Sequence, residues 1–92
     1  MAKQEVSKLT TAEELTIDYR IEIAKRLFCR MESLGINQSE VARRIGSHRV
    51  VVNRILKGEK NLTLTSIAKL SIGVAWDLLK NEPIDKIYHN AK

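Results

Sequence analysis

An all-α domain of four or five helices, built around a helix-turn-helix, follows from three features of this 92-residue sequence. Apolar residues recur at three- and four-residue steps through most of the chain, the spacing of one buried helical face. Residues that start helices, such as Thr11, Asn37 and Thr63, alternate with glycines that end them, Gly35, Gly46 and Gly58. Wound at 100° per residue, the segment 48–57 separates into a basic face and an apolar face. A chain of this length supports one modest hydrophobic core, so one domain is expected.

The elements follow in order. Residues 1–10 show no sustained period and read as a flexible N-terminal tail. Thr10 and Thr11, followed by Glu13 and Glu14, offer a capping-box start and a short helical turn. From Asp18 the pattern is firmly helical, with Ile17, Ile21, Ala24, Phe28 and Met31 as the inner stripe and Leu27 and Leu34 on its flank. Gly35 ends this helix. Asn37 is a good N-cap for a second helix of about two turns, QSEVARRI, whose apolar residues are Val41, Ala42 and Ile45 and which Gly46 closes. Ser47 or His48 opens a third helix that ends at Gly58.

Thr63 or Thr65 starts a fourth helix, with Leu64, Ile67, Ala68 and Ser71 on its inner side. Gly73 either stops it, leaving Trp76, Leu78 and Leu79 on a short fifth helix, or lies inside one longer helix at a cost of about 1 kcal/mol. Pro83 opposes continuation, so 81–92 reads as a separate C-terminal tail and 11–80 as the domain, with the helix-turn-helix at about 38–57.

The valine run 50–52 decides how the third helix is used. As a helix, Arg49, Val50, Asn53, Arg54 and Lys57 fall within a sector about 140° wide, while Val52, Ile55 and Leu56 lie opposite and Val51 sits at the boundary. A strand would place Arg49, Val51 and Asn53 on one side and leave Arg54 and Ile55 unexplained. Two short helices joined through Gly46, the second basic on its outer face, form a helix-turn-helix.

Charge points to the same segment. The chain carries +5, and between Asn37 and Leu62 six basic residues stand against two acidic ones. A concentrated positive patch on a small domain suits a polyanion, most often nucleic acid.

From Leu34 to about Leu79 the sequence resembles the lambda-repressor and Cro-like helix-turn-helix family of the XRE type. The resemblance rests on LGINQSEVARRIG, VVVNRI and KGEKNLTLTSIAKL, with Gln38, Ala42, Gly46, Val52, Ile55 and Gly58 as the strongest matches. It implies a compact bundle of four to five helices that binds double-stranded DNA, usually as a symmetric homodimer. It also implies that Asn37 and Gln38 meet phosphate and that the third helix reads bases. The chain departs from the family at three places: His48 stands where a small hydroxyl residue usually caps, Leu56 where glutamate is frequent, and the run around Ser71 to Val74 is shortened.

Individual roles follow from side-chain chemistry. Arg49 and Arg54 are the base-reading candidates, because a guanidinium donates two parallel hydrogen bonds to guanine. Val50 can sense only apolar groups, of which the major groove offers the thymine methyl, unless it merely packs against the turn. Asn53 can pair with adenine, support Arg49 or reach a phosphate. Gln38 sits at a helix N-terminus that favours a phosphate oxygen. Lys57 and Lys60 track the backbone, and Ser47 and His48, in the turn before the third helix, join the phosphate contacts. One of Arg43 and Arg44 is expected to be simply solvated.

Several classes are excluded. His48 and His89 have no ligand partners at metal spacing, so no metal site or cofactor is expected. No nucleophile, base and orienting group form a catalytic set, so the chain does not read as an enzyme. No stretch suffices for a membrane span, and the single Cys29 should be reduced, partly exposed and without a task, as in the cytoplasm. The expected function is a sequence-specific transcriptional regulator, a repressor on a two-fold operator. Its rivals are an antitoxin holding a toxin partner and a protein-interaction module without DNA affinity. Trp76, Leu78, Leu79, Ile84, Ile87 and Tyr88 supply core plus tail or, on the sharper reading, a dimer contact.

Overall fold

The computed structural model describes residues 10–84. Four helices, α1 (Ala12–Leu34), α2 (Gln38–Ile45), α3 (Arg49–Leu56) and α4 (Leu64–Val74), are followed by a two-residue antiparallel hairpin, β1 (Trp76–Asp77) with β2 (Glu82–Pro83). The tail residues 1–9, and Ile87, Tyr88 and His89, lie outside the described residues.

α1 is one helix of 23 residues, not a turn followed by a helix. Thr11 and Glu14 form the reciprocal capping box, each side chain accepting from the other's backbone N–H at 3.1 Å, and the helix runs on without a break. Its inner face is rotated from the expected stripe. Ile23, Ala24, Leu27 and Met31 are buried, whereas Ile17, Ile21 and Phe28 stay exposed. The apolar residues of α1 form two overlapping stripes, and the bundle covers only the one that begins at Ile23; no residue of α1 before it is buried.

The core joins that face to Val41 and Ala42 of α2, Val52 and Ile55 of α3, Leu70 and Val74 of α4, and Leu78. On α4 the expected inner side is also turned. Leu70, Ser71 and Val74 are buried while Leu64 and Ala68 are exposed, because the helix presents Gly73 to α2. A methyl group on Gly73 would stand 2.9 Å from Cγ2 of Ile45, so this glycine sits inside the helix to let α2 approach closely.

Among the described residues there is no fifth helix. α4 ends on Ala75 in the left-handed conformation, and Asp77 Oδ1 then accepts from the backbone N–H groups of Leu79 and Lys80, at 3.1 and 2.9 Å. That capped turn cannot grow. Asn81 is left-handed at φ 58°, its side chain accepts from the Trp76 indole, and Pro83 follows in β2. Residues 82–83, expected in a separate tail, are therefore the return strand. Leu78 is fully buried inside the hairpin, its N–H donating to the buried hydroxyl of Ser71, and Trp76 is half-buried beneath Arg30. Leu78 is thus committed to the core, while Trp76 keeps part of its surface in solvent.

Candidate nucleic-acid interface

The helix-turn-helix is set by two caps and one glycine. Asn37 starts α2 by accepting from the N–H of Glu40 at 2.9 Å. At the other end Gly46 adopts φ 69°, a conformation that costs any residue with a Cβ, and the N–H of Ser47 closes on the carbonyl of Ala42 at 2.8 Å. α3 begins two residues later. His48 occupies its N-cap and makes no side-chain cap hydrogen bond, so the first amides of α3 have no side-chain acceptor. Of the two alternatives for the cap, His48 holds the position and Ser47 stays in the turn.

The division of α3 matches the helical reading of the valine run. Val52 and Ile55 are buried, Val51 and Leu56 are half-buried, and Arg49, Val50, Arg54 and Lys57 face solvent, with Asn53 half-buried beside them. Val50 is 61% exposed, which removes the reading in which it seals the turn. The guanidinium groups of Arg49 and Arg54 make no hydrogen bond or ion pair with any described residue. Leu56 lines a groove with Ile21, Ala24 and Phe28 of α1, so its neighbour is the first helix.

The positive charges flanking this face fall into two kinds. Glu40 accepts from both Arg43 and Arg44, and this pairing, led by the Arg43 hydrogen bonds, holds its carboxyl down at about 2. Arg44 also donates to the carbonyl of Gly73 at 3.0 Å, tying α2 to the end of α4. Neither arginine of α2 is a free cation. The ammonium groups of Lys57 and Lys60 have no partner among the described residues and stand on either side of Gly58. Gln38 is half-buried, with its side-chain oxygen out of water and unpaired, while Asn37, His48, Arg49, Arg54 and Lys57 are exposed.

Sequence reasoning overlooked the arginines of α1. Arg30 donates through Nε to the carbonyl of Val74 at 2.8 Å and lies 5.3 Å over the Trp76 ring, and Arg26 donates to the carbonyls of Leu78 and Leu79, both at 3.0 Å. Their spacing of four, on the flank of the apolar stripe, was the available signal.

A helix-turn-helix family model matches residues 27–72, half of the chain. The chain belongs to the lambda-repressor-like helix-turn-helix family. Members of this family are DNA-binding regulators, and the match spans the last turns of α1 through most of α4. Neither the curated proteins nor the solved structures include a match to the chain. Among the described residues no helix is long and apolar enough to cross a membrane, and no group of three histidine, cysteine or acidic residues is placed to hold a metal.

Proposed function

We propose that the protein is a sequence-specific transcriptional regulator, a repressor that binds a two-fold-symmetric operator as a homodimer in the cytoplasm. The observation that carries this reading is the outer face of α3, where Arg49, Val50 and Arg54 stand in solvent beside Asn53 while the opposite face is buried. A helix enters the major groove with such a face, and its first turns reach base edges. Arg49 and Arg54 read guanine, Asn53 reads adenine or supports Arg49, and Val50 meets thymine. Asn37, Gln38, Ser47, His48, Lys57 and Lys60 contact phosphate on either side.

The homodimer reading draws support from an apolar groove of about 700 Å³ between α1 and α4, lined by Tyr19, Ile23, Leu62, Leu64, Ile67 and Leu79. Contiguous exposed apolar surface of this kind is commonly covered by another protein. The same groove favours a second reading, a DNA-binding antitoxin whose toxin partner occupies it. Co-purification of one defined small protein with the chain, and loss of that partner on Leu64→Asp, separates this from a homodimer.

Selection of bound sequences from random duplex DNA, followed by a salt titration on the selected site, tests the whole reading. The expected result is a palindromic site whose half-sites lie about one DNA turn apart, roughly 34 Å, bound with steep salt dependence. A chain that binds no duplex in a salt-dependent way is an interaction module and not a regulator of this kind.

A further inference from the structure

The family match begins at residue 27, yet α1 begins at Ala12. The turns of α1 that precede the match reach, among their contacts, the turn Lys57–Lys60 after α3. Arg20 donates from Nη1 to the carbonyl of Glu59 at 3.2 Å, across 39 residues of sequence. Ile21 lies directly against Gly58, whose left-handed conformation (φ 72°) and missing side chain admit it; a Cβ there would be 3.3 Å from Cγ1 of Ile21. Arg20 is half-buried and its Nε is out of water, so the side chain is laid along the protein and does not swing in solvent.

We propose that Arg20 is a positioning residue for DNA: by holding the Glu59 carbonyl it fixes the end of the turn from which Lys60 reaches phosphate. This rests on the DNA-binding reading above. The physical reason is economy of disorder. A turn that must place a lysine against a phosphate loses conformational entropy on binding, and less is lost when the turn is already fixed. Gly58 makes the turn possible and leaves it easy to deform, and the only side-chain hydrogen bond to a backbone group of residues 57–60 among the described residues comes from Arg20. The part of α1 outside the family match then acts on DNA affinity without touching DNA.

The test uses the full chain and a random-sequence duplex, so that only phosphate contacts are read, with affinity measured across a salt series for Arg20→Ala, Arg20→Lys, Lys60→Ala and the double variant Arg20→Ala/Lys60→Ala. One phosphate contact contributes a salt slope near 0.9, which is about eightfold in affinity near 0.1 M salt. Arg20→Ala should lose up to about eightfold and lower the slope by up to one, and the double variant should bind no worse than Lys60→Ala alone. Arg20→Lys keeps the charge and the stem but falls short of the carbonyl, so it should fold and lose as much as Arg20→Ala. Additive losses would mean that Arg20 itself touches phosphate, and full affinity in Arg20→Lys would mean that only its charge matters; either overturns the positioning role. Salt-dependent binding by the wild-type chain separates those outcomes from failure of the DNA reading, in which the wild-type chain itself would not bind.

Discussion

Two groups of arginines in this small domain do opposite things with the same side chain. At the carbonyl end of α4, Arg44 takes the oxygen of Gly73, Arg30 that of Val74, and Arg26 those of Leu78 and Leu79 just beyond. On the outer face of α3, Arg49 and Arg54 take nothing from the described residues. The difference lies in what surrounds them. The last carbonyls of a helix have no intrahelical partner, and a guanidinium with five donors satisfies several at once while its charge suits the negative end of the dipole. Where the chain offers no acceptor, the same donors remain for a phosphate or a base. Net charge counts both groups alike, so it overstates what is available to a polyanion.

Removing a member of each group should separate stability from binding. Arg30→Ala forfeits a charged hydrogen bond, about 1.5 to 3 kcal/mol, and a cation–π contact with Trp76, about 0.5 to 1. A loss near 3 kcal/mol in urea unfolding is expected, with the salt slope of DNA binding unchanged. A slope lowered by one would move Arg30 into the DNA-facing group. Arg54→Ala should do the reverse: about 2 kcal/mol lost on the selected site, preference relaxed at one base position, and stability within about 0.5 kcal/mol of wild type. Equal losses on selected and random DNA would demote Arg54 to a phosphate contact.

Gly73 probes the sealed end of α4 from its other side. Alanine there gains about 1 kcal/mol of helix propensity but drives a methyl into the β-branched, stiff Ile45, at a typical overpacking cost of 1 to 3 kcal/mol. The net expectation is a loss of about 1 kcal/mol, seen as a lowered thermal midpoint. An Ile45→Val background keeps Cγ2 and should not restore stability, whereas Ile45→Ala, which removes it, should shrink the additional cost of the alanine. An equal cost in all backgrounds would place the clash elsewhere.

What could be read from the chain divides along similar lines. α2, α3 and the turn between them follow local rules, a capping asparagine, a left-handed glycine and a single clean apolar face, so their bounds and their orientation were legible. The inner faces of α1 and α4 were not, because each carries more apolar residues than the bundle covers. Which stripe is buried depends on where the partner helix lies. The hairpin was missed for a related reason: Trp76, Leu78 and Leu79 suggest helical spacing, but Asp77 and Asn81 take the backbone into a turn first. Long-range clamps such as Arg20 to Glu59 have no local signature at all.

The smallest expected effect sits at Val50, and it bears most directly on what the open face of α3 is for. A valine 61% exposed leaves apolar surface in water, which is ordinary for one residue on a protein surface. Its place between two unpartnered arginines gives it a specific use, because the thymine methyl is the apolar group that base edges present in the major groove. Val50→Ala should leave stability within about 0.5 kcal/mol and cost about 1 kcal/mol on the selected site, the scale of one or two methyl groups removed from water. Replacing each thymine in turn by deoxyuridine removes the partner methyl and nothing else. If Val50 meets that methyl, one such replacement should weaken the wild-type chain by a similar amount and leave Val50→Ala unaffected. If every replacement weakens both proteins equally, the valine reads no base, and the arginines alone carry sequence preference across this face.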